Sequence, residues 1–452
     1  MRILSYRGPC APGGVSNSLA QIFNEHEAVS EWWFLRERDL VCVKDDNEKP
    51  SYSLHAELVS NHYRYCNNFL WPVLHDMPEL AIYSEEEQKA YQAFNAVVSF
   101  RLRVAQKISS DDCFVNDYQF ALIPELTRKA MDSFVFWHIP WPKNIWMEHS
   151  APLCEIAAGL LAARVIGFHI QEYLDNFVDF VIRNLPQLDI RRTVYGISIK
   201  DGPSSRRVIS LVCAPLGIDS FHWNGMAKQD AELYEMGLGN TPFILSVDRC
   251  DYTKGVFERL NAIDYFFSIN PEWKEKVVFV QIGARSRPGL PVFDQYWESC
   301  RRRFAQLNSN HATEQWNPLI WIESPQSSAS LAKLYSRAQS MIVSPIRDGL
   351  NLTAKEYVAS QHSFPGTLVL SKGAGVYKEI GKHCIEIETS DVSQFSNAIS
   401  QSLTMSEAER YRRIHLLKSA VICNSLSSWW QSYLRLCGDS KLELTDKRAA
   451  GL

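Results

Sequence analysis

Two cations stand close together in a loop that follows an apolar run of the sequence. The segment LSVDRCDYTKG covers residues 245–255 and contains Arg249 and Lys254. Gly255 ends the loop before a predicted helix. A guanidinium binds phosphate oxygens through paired hydrogen bonds, a lysine supplies a point charge, and a helix N-terminus adds partial positive charge. The pattern is typical of a diphosphate site, and the alternative is a solvated loop with ordinary surface charges.

A second polar loop precedes a predicted helix in SPIRDGLNLTAKEYVAS, residues 344–360. Asp348 and Gly349 predict a turn, and Asn351 can cap the helix that begins near Leu352. The backbone N–H groups of Asn351 and Leu352 then point toward an anion. This loop therefore predicts further phosphate ligands.

Two acids in the same segment have a spacing that suits a ligand with several hydroxyl groups. Asp348 and Glu356 are eight residues apart, which places Glu356 about one turn inside the predicted helix. Each carboxylate can hold a different hydroxyl-bearing part of one ligand. The alternative is that Asp348 caps the helix while Glu356 pairs with Lys355 or Arg347 at the surface. The residues alone favour neither reading.

A histidine ends a predicted strand in FWHIPWP, residues 136–142. Two prolines stiffen the turn that follows His138. A histidine at the carboxyl end of a strand can bind a sugar hydroxyl. The alternative is a packed, hydrogen-bonded histidine, which the local pattern by itself favours.

Short apolar runs that alternate with helical stretches must position these loops. The predicted strands are residues 2–6, 113–117, 134–139, 208–216, 243–248, 277–283, 319–323, 340–345, 367–371 and 384–388. The predicted helices are residues 85–107, 152–164, 170–184, 256–268, 291–308, 328–337 and 351–360. The strands are apolar on both faces, as parallel strands under helices are. The alternation predicts an α/β fold of doubly wound parallel sheets, with ligands beyond the carboxyl ends of the strands.

Two sets of such elements predict two Rossmann-like domains. We expect one over residues 1–225 and the other over residues 226–424, with a connection and a short helix in 221–240. An aromatic helix at 425–438 is expected to pack back on the first domain. Residues 439–452 are polar and predict a flexible tail.

The composition excludes several classes of protein. The 452 residues have a net charge of −4, so no broad basic field is available for nucleic acid. No apolar stretch has the length of a membrane span, and the first residues lack a signal-peptide pattern. The 11 cysteines show neither a C-x-x-C pair nor zinc-ligand spacing, as expected of free thiols in a reducing compartment. We therefore expect a cytoplasmic protein that binds neither nucleic acid nor a membrane.

Several segments resemble, in order, the signature segments of the trehalose-6-phosphate synthase family, glycosyltransferase family 20. They are YCNNFLWPVLH, NDYQFALIP, FWHIPWP, ARVIGFHIQEY, APLGID, SVDRCDYTKGVFERL, QIGARSRP and PIRDGLNLTAKEY. The resemblance covers roughly residues 60–435. It implies a GT-B fold, in which two Rossmann-like domains face a central cleft. The N-terminal domain then binds the acceptor, and the C-terminal domain binds the nucleotide sugar.

The resemblance implies a retaining hexosyltransferase that moves glucose from UDP-glucose to glucose 6-phosphate in trehalose biosynthesis. The implied donor-binding residues are Gly14, Arg249, Lys254, Asp348, Asn351, Leu352 and Glu356. In the family the cations hold the diphosphate, the first acid binds the donor sugar and the second binds the ribose. The resemblance implies no metal and no cofactor beyond the nucleotide sugar, so the partners are small-molecule substrates. Self-association into a homo-oligomer stays open.

The resemblance also assigns the acceptor side and the catalytic group. The implied acceptor-binding residues are Arg7, Tyr65, Trp71, Asp117 and Arg287, with Arg285 as a competitor of Arg287 for the acceptor phosphate. The implied catalytic residues are His138, Asp117, Arg249, Lys254 and Asp348, in which His138 corresponds to a histidine that contacts the donor sugar.

The sequence departs from the family pattern in two places. Asn116 stands where the family has a histidine before Asp117, so an ionisable group is absent there. The first loop, residues 5–19, is short, and the Trp-Gly-rich segment that usually follows it is missing. Gly13 and Gly14 in this loop have no Cβ and would allow a close approach to the donor phosphates.

These departures leave three hypotheses. The first is the synthase reaction with glucose 6-phosphate. The second is a related enzyme with another acceptor, either a glucosylglycerol-phosphate synthase or a cyclitol pseudo-glycosyltransferase. The third is a non-catalytic sugar-phosphate sensor, against which the intact donor residues argue. The donor base, uridine rather than guanosine or adenosine, is also left open.

We predict that Arg249→Ala lowers kcat by on the order of 10²-fold or more, as for other preorganised groups that stabilise developing charge. Steady-state release of UDP measures the effect. An unchanged kcat would contradict a role for Arg249 at the leaving diphosphate.

Overall fold

Two sheets with parallel strands at their centres organise the chain in a computed structural model. The structure describes residues 1–9, 11, 13–44, 47–49, 51–106, 112–200, 205–228, 241–363 and 365–449. The chain divides into two units: the first joins Met1–Pro215 to Ser427–Leu452, and the second is Leu216–Leu426.

The strands alternate with helices along most of the chain. The strands are β1 (Arg2–Ser5), β2 (Glu31–Arg36), β3 (Asp39–Lys44), β4 (Asn47–Glu48), β5 (Tyr52–Ser53), β6 (Cys113–Asn116), β7 (Ser133–Trp137), β8 (Val165–Phe168), β9 (Arg191–Thr193), β10 (Gly196–Lys200), β11 (Arg206–Cys213), β12 (Phe243–Val247), β13 (Val278–Ile282), β14 (Leu319–Ile322), β15 (Ser340–Val343), β16 (Thr367–Ser371) and β17 (Ile385–Ile387).

The helices are α1 (Gly14–Glu25), α2 (Ala56–Arg64), α3 (Trp71–Leu74), α4 (Glu85–Gln106), α5 (Ile123–Thr127), α6 (Met147–Leu160), α7 (Gln171–Asn184), α8 (Ser220–Ala227), α9 (Val256–Ile269), α10 (Pro291–His311), α11 (Ser328–Arg337), α12 (Leu352–Ser360), α13 (Tyr377–Ile380), α14 (Val392–Thr404), α15 (Glu407–Cys423) and α16 (Leu426–Ala449). A π-helical segment, Tyr65–Leu70, joins α2 to α3.

The first unit contains a sheet in the order β4-β3-β2-β1-β6-β7-β8-β11-β10-β9, with β5 beside β3. Neighbours from β2 to β11 in this order pair in parallel, whereas the strands outside them pair antiparallel. The central strands β7 and β8 are buried over their whole length, because side chains on both of their faces pack under other parts of the unit.

The second unit contains a parallel sheet in the order β14-β13-β12-β15-β16-β17. Helix α8 belongs to this unit because it packs against α11 and α12. For example, Asn224 Nδ2 donates to the carbonyl of Ala359 at 3.1 Å, and the Trp223 ring lies 5.8 Å from that of Tyr335. The unit therefore begins at Leu216, ten residues before the domain start predicted at residue 226.

The last helix, α16, packs on the first unit. Trp429 Nε1 donates to the carbonyl of Ala214 at 3.0 Å, and the Tyr433 hydroxyl donates to the carbonyl of Val135 at 2.5 Å. The Trp430 ring lies 5.4 Å from that of Phe114. Helix α16 continues to Ala449, whereas the sequence predicts a flexible tail from residue 439. The stretch after Gly438 contains strong helix formers such as Lys, Leu, Glu and Ala, which explains the difference.

The predicted class, an α/β fold of doubly wound parallel sheets, is confirmed. Each predicted strand has a counterpart in the sheets. The last residue of the predicted helix 85–107 and residues 229–240 of the predicted connection lie outside the described residues. In the part of the chain that is described, no helix combines the length and the apolar content needed to cross a membrane.

Candidate active site

Three residues predicted to bind the donor meet in the loops that follow β12 and β15. Lys254 Nζ lies 2.7 Å from Asp348 Oδ2, and Asn351 Nδ2 donates to the same oxygen at 3.2 Å. The side chains of Lys254 and Asp348 are 12% and 13% exposed, so the pair is shielded yet within reach of a ligand. The structure thus places a cation and the acid predicted to bind the donor sugar next to each other.

Backbone contacts fix the distance between these two loops. The N–H of Ile346 donates to the carbonyl of Thr253 at 2.8 Å. Gly255 has a φ of 62°, and a Cβ at this position would lie 2.2 Å from the carbonyl oxygen of Ser344. A side chain at Gly255 would be strained and would push the loops apart.

A third loop, which follows β16, completes this region and was not predicted. The N–H of Asp348 donates to the carbonyl of Gly373 at 2.9 Å, and the N–H of Gly375 donates to the carbonyl of Asp348 at 3.1 Å. A Cβ at Gly375 would lie 2.1 Å from the carbonyl oxygen of Gly349. The run KGAGV directly after a predicted strand was the signal that could have revealed this loop.

Asn351 begins α12 as predicted. Its Oδ1 accepts hydrogen bonds from the N–H of Ala354 at 3.1 Å and from the hydroxyl of Thr353 at 2.8 Å. The φ of Asn351 is 83°, a conformation that asparagine tolerates better than most residues. The first N–H groups of a helix have no acceptor within it, so the positive end of α12 begins at Leu352, beside Asp348 and Lys254.

Asp251, which was not predicted, balances the positive charge of this region. Its buried carboxylate accepts hydrogen bonds from the N–H of Thr253 at 3.1 Å and from Arg287 Nη1. Burial by itself would raise the pKa of Asp251, but the charges of Arg287, Arg249 and Lys254 outweigh it and hold this pKa well below its ordinary value. The feature of the sequence that could have revealed Asp251 is its position as an acid within the cationic loop, residues 245–255.

The structure separates the two arginines that compete for the acceptor phosphate. Arg287 is 9% exposed, pairs with Asp251 and lies 4.8 Å above the ring of Phe293. Arg285 lies 2.6 Å from Asp294 with its side chain 39% exposed. Of these two ion pairs, only the pair of Arg287 with Asp251 joins an arginine to the cationic loop, residues 245–255. The role of Arg287 at the acceptor phosphate stays a prediction.

Arg249 follows β12 and is exposed. The next residue, Cys250, donates its N–H to the carbonyl of Ala284 at 2.9 Å, which fixes the backbone beside Arg249. The guanidinium is near enough to lower the pKa of Asp251. The positive charge of Arg249 therefore belongs to the same region as that of Lys254.

Glu356 is buried in α12 rather than paired at the surface. It is 7% exposed and accepts a hydrogen bond from the Tyr335 hydroxyl at 3.2 Å. Burial raises the pKa of Glu356 to about 7, although the Tyr335 hydroxyl partly lowers it. Its neighbour Lys355 pairs instead with Glu379 at 2.7 Å. The surface pair between Glu356 and Lys355 does not form.

In the first unit, Asp117 and His138 lie together at the ends of β6 and β7. Asp117 has a φ of 71°, and its Oδ1 accepts a hydrogen bond from the backbone N–H of His138 at 3.0 Å. Burial raises the pKa of Asp117 to about 7. The His138 ring contacts Asn116 Oδ1 at 2.7 Å and His169 Nε2 at 3.1 Å. Burial lowers the pKa of His138 to about 3, so the ring is neutral at pH 7.

His169 was missed, although the sequence carries a signal for it. In FVFWHI and VIGFHI a histidine follows an apolar strand at once, and the second of these strands, β8, was not predicted. His169 is 3% exposed, so its contact with His138 is buried.

The remaining predicted residues of the first unit differ in burial. Tyr65 is fully buried, 5.3 Å from the ring of Phe69, and Trp71 is 6% exposed. Arg7 is exposed after β1, and Gly14 is the first residue of α1. Their roles in binding stay predictions.

Side chains of the types that can ligate a metal do not form a cluster in the described part of the chain. Within the described ranges, no three His, Cys, Asp or Glu residues come together as metal ligands would.

Two sheets with parallel strands, together with cations, acids and a helix N-terminus beyond the strand ends, define an α/β protein of the doubly wound class with a binding site for an anionic ligand. The model of glycosyltransferase family 20 matches residues 36–437, and the chain belongs to that family. The family and fold predicted from the sequence are thus confirmed.

Relatives and solved structures with similar sequences carry consistent names. The chain is 31% identical over 391 residues to a bifunctional trehalose-6-phosphate synthase/phosphatase of Thermoproteus tenax, covering 84% of this chain but about half, 52%, of the relative. It is 28% identical to an α,α-trehalose-phosphate synthase (UDP-forming) of Aspergillus fumigatus, covering 87% of this chain and 77% of the relative. A solved UDP-forming α,α-trehalose-phosphate synthase from Burkholderia xenovorans superposes with a TM-score of 0.85 at 26% identity, covering 96% of this chain and 98% of that one.

We expect Asp251→Asn to lower the free energy of unfolding of the second unit by about 3–5 kcal/mol, the usual cost of breaking a buried ion pair. The substitution removes the carboxylate that balances Arg287. Urea denaturation followed by tryptophan fluorescence measures the loss.

Asp294→Asn is the matched control, because its partner Arg285 is exposed. This control should cost less than about 1 kcal/mol. Equal losses in the two variants would show that Asp251 carries no special electrostatic role.

Proposed function

We propose that this chain is an α,α-trehalose-phosphate synthase that transfers glucose from UDP-glucose to glucose 6-phosphate, with release of UDP. The observation that carries the proposal is the contact of Asp348 with both Lys254 and Asn351 just before α12. A cation, a sugar-binding acid and a helix N-terminus in one place suit the junction between a diphosphate and its sugar. The names of the relatives support the same reaction.

The chemistry depends on the charge that develops on the leaving group. The bond between the anomeric carbon and the β-phosphate oxygen breaks, and a bond to the acceptor hydroxyl oxygen forms on the same face. The proton of that hydroxyl passes to the departing diphosphate. Lys254, Arg249 and the N-terminus of α12 stabilise the growing negative charge, and they are already in place before the reaction. No protein nucleophile takes part in this scheme.

Asp348 has two roles in the proposal. Its carboxylate orients Lys254 through the 2.7 Å ion pair and binds hydroxyls of the donor glucose with its remaining acceptor capacity. Glu356, deeper in α12, accepts hydrogen bonds from the ribose hydroxyls. The first unit supplies the acceptor ligands that the family resemblance implies, Arg7, Tyr65, Trp71 and Asp117, and the second unit adds Arg287.

A second candidate, an enzyme with another phosphorylated acceptor, is favoured by one feature of the first unit. Asn116 replaces the family's histidine beside Asp117, and it contacts His138 directly. A changed residue at this position alters the groups that an acceptor or donor sugar meets. Glycerol 3-phosphate and a phosphorylated cyclitol are the alternative acceptors.

We propose the cytoplasm as the place of action, with the nucleotide sugar as co-substrate and no other cofactor. The nine cysteines whose side chains the structure describes all carry free thiols, which suits a reducing compartment. Assembly into a homo-oligomer stays a prediction.

A turnover assay tests the function. Purified protein is incubated with UDP-glucose and, in separate reactions, glucose 6-phosphate, glycerol 3-phosphate or a phosphorylated cyclitol, and UDP release is measured. ADP-glucose and GDP-glucose replace UDP-glucose in parallel reactions. We expect turnover with UDP-glucose and glucose 6-phosphate.

Turnover with another acceptor only would replace the acceptor in the proposal. Binding of glucose 6-phosphate without any turnover would favour the sensor instead. Asp348→Asn, which keeps the shape of the side chain but not its charge, serves as the inactive reference for the assay.

We predict that UDP binds about 5- to 10-fold more weakly at pH 6 than at pH 8, because protonation of Glu356 removes acceptor capacity from the ribose contact. The pKa of Glu356 is raised to about 7, so the carboxylate is mostly ionised at pH 8 and mostly protonated at pH 6. Isothermal titration calorimetry across this range measures the affinity.

Glu356→Gln is the matched control, because glutamine has a similar shape and does not titrate. Any pH dependence left in this variant comes from the phosphates of UDP. If wild type and variant lose affinity equally as the pH falls, Glu356 is not the titrating group.

A further inference from the structure

A tyrosine hydroxyl lies beside the carboxylate of Glu356 inside the second unit. Tyr335 belongs to α11 and Glu356 to α12, and the Tyr335 hydroxyl donates to Glu356 Oε2 at 3.2 Å. Tyr335 is fully buried, and Glu356 is largely buried. A hydrogen bond donated to an ionised carboxylate stabilises its charged form. The contact therefore favours the ionised form of Glu356 over the protonated one.

Neighbouring rings and a backbone hydrogen bond hold Tyr335 in place. The Trp223 ring of α8 lies 5.8 Å from the Tyr335 ring, and the Tyr357 ring of α12 lies 6.2 Å from it. The carbonyl of Tyr335 accepts a hydrogen bond from Nε2 of Gln361, the residue after α12. A side chain enclosed in this way cannot change rotamer without disturbing its neighbours, so its hydroxyl stays next to Glu356.

Burial and the Tyr335 hydroxyl act in opposite directions on Glu356. Burial raises the pKa of Glu356 to about 7, and the hydrogen bond from Tyr335 opposes this rise. The pKa of Tyr335 itself is raised well above its ordinary value by burial and by the charge of Glu356. The phenol therefore keeps its proton at neutral pH and remains a hydrogen-bond donor.

The other titratable groups near these two side chains have partners of their own. Asp248, whose charge also acts on Tyr335, pairs with Arg259 of α9 at 3.1 Å. Groups on α12, after it or on α15 are engaged elsewhere: Lys355 with Glu379, Tyr357 with the carbonyl of Thr367, His362 with that of Ala227, Arg410 with that of Leu403 and Lys418 with that of Gln361. Among the described residues, Tyr335 is thus the side chain that acts on the ionisation of Glu356.

The two oxygens of the Glu356 carboxylate differ in their surroundings. Tyr335 engages Oε2. In the part of the chain that the structure describes, Oε1 has no hydrogen-bond donor, and it is not one of the fully enclosed unpaired atoms. One oxygen is therefore held by the protein, while the other can accept a hydrogen bond from a ligand.

We propose that Tyr335 is a positioning residue for the donor, whose hydroxyl orients the carboxylate of Glu356 and keeps it ionised so that its other oxygen accepts a ribose hydroxyl. The inference rests on the proposed function, because that function supplies the ribose. Tyr335 acts through Glu356 and does not itself touch the nucleotide.

The pH dependence of UDP binding tests this role. Tyr335→Phe removes only the hydroxyl, so Glu356 should take up its proton at a pH about one unit higher than in wild type. Isothermal titration calorimetry should show UDP binding about threefold weaker than wild type at pH 7 and within about twofold of it at pH 9. A variant that is weakened equally at both pH values overturns the inference, because a packing defect does not depend on pH.

Tyr357→Phe is the matched control. Tyr357 is the neighbour of Glu356 in α12, is fully buried and donates its hydroxyl to the carbonyl of Thr367 at 3.0 Å. Loss of this hydroxyl should leave the midpoint of the pH dependence unchanged. A shift as large as that of Tyr335→Phe contradicts the inference, because the loss of any buried hydroxyl would then produce it.

A double-mutant cycle tests whether Tyr335 acts through the carboxylate. In a Glu356→Gln background, adding Tyr335→Phe should change the affinity for UDP by less than about twofold at any pH, because no carboxylate is left to ionise. If Tyr335→Phe lowers the affinity as much in this background as in wild type, Tyr335 acts by another route and the inference fails.

The ionisation of Glu356 can also be followed without any nucleotide. Carbon-13 NMR of glutamate-labelled protein, with Glu356→Gln to assign the signal, should show a higher titration midpoint in Tyr335→Phe than in wild type. An unchanged midpoint overturns the positioning role. A wild type that binds no UDP at any pH refutes the proposed function, while the NMR titration still decides whether Tyr335 keeps Glu356 ionised.

Discussion

The ion pair between Lys254 and Asp348 is the contact on which the arrangement of the second unit depends. The site that we propose for a diphosphate contains several cations, and carboxylates at two levels of burial balance their charge. Asp348 lies at the partly exposed level, where Asn351 shares its oxygen. Asp251 is fully buried and balances the charges of Arg287, Arg249 and Lys254. Two carboxylates, rather than a single one, therefore balance the positive charges of this region.

The sequence predicted the features of this site that are local. Cations after an apolar strand, an asparagine at a helix start and an acid inside the helix can each be recognised within about ten residues. Asp251 was missed because its role depends on Arg287, 36 residues away, and His169 was missed because its partner His138 is 31 residues away. Parallel strands were predictable because they are apolar on both faces, whereas β9 is exposed along its whole length and gives no such signal.

Aromatic residues were the least informative in the sequence. Tyr65 and Trp71 both lie in buried positions, where ring packing and a substrate contact require the same residue types. The histidine at the end of β7 shows a related ambiguity. His138 is packed and hydrogen-bonded, as its local pattern favoured, and at the same time it touches Asn116, the residue at which the chain departs from its family. Packing at this position does not decide whether His138 also contacts a substrate, and that role stays a prediction.

The C-terminal helix α16 has a consequence for biogenesis. Trp430 and Tyr433 bury their rings against Phe114, so the hydrophobic core of the first unit includes residues from both ends of the chain. The second unit, Leu216–Leu426, is continuous, and all of its residues leave the ribosome before α16 does. The segment made first stays incomplete until α16 has been synthesised, and the segment made second can finish folding before it. Emergence of α16 from the ribosome is then the step that completes the core of the first unit.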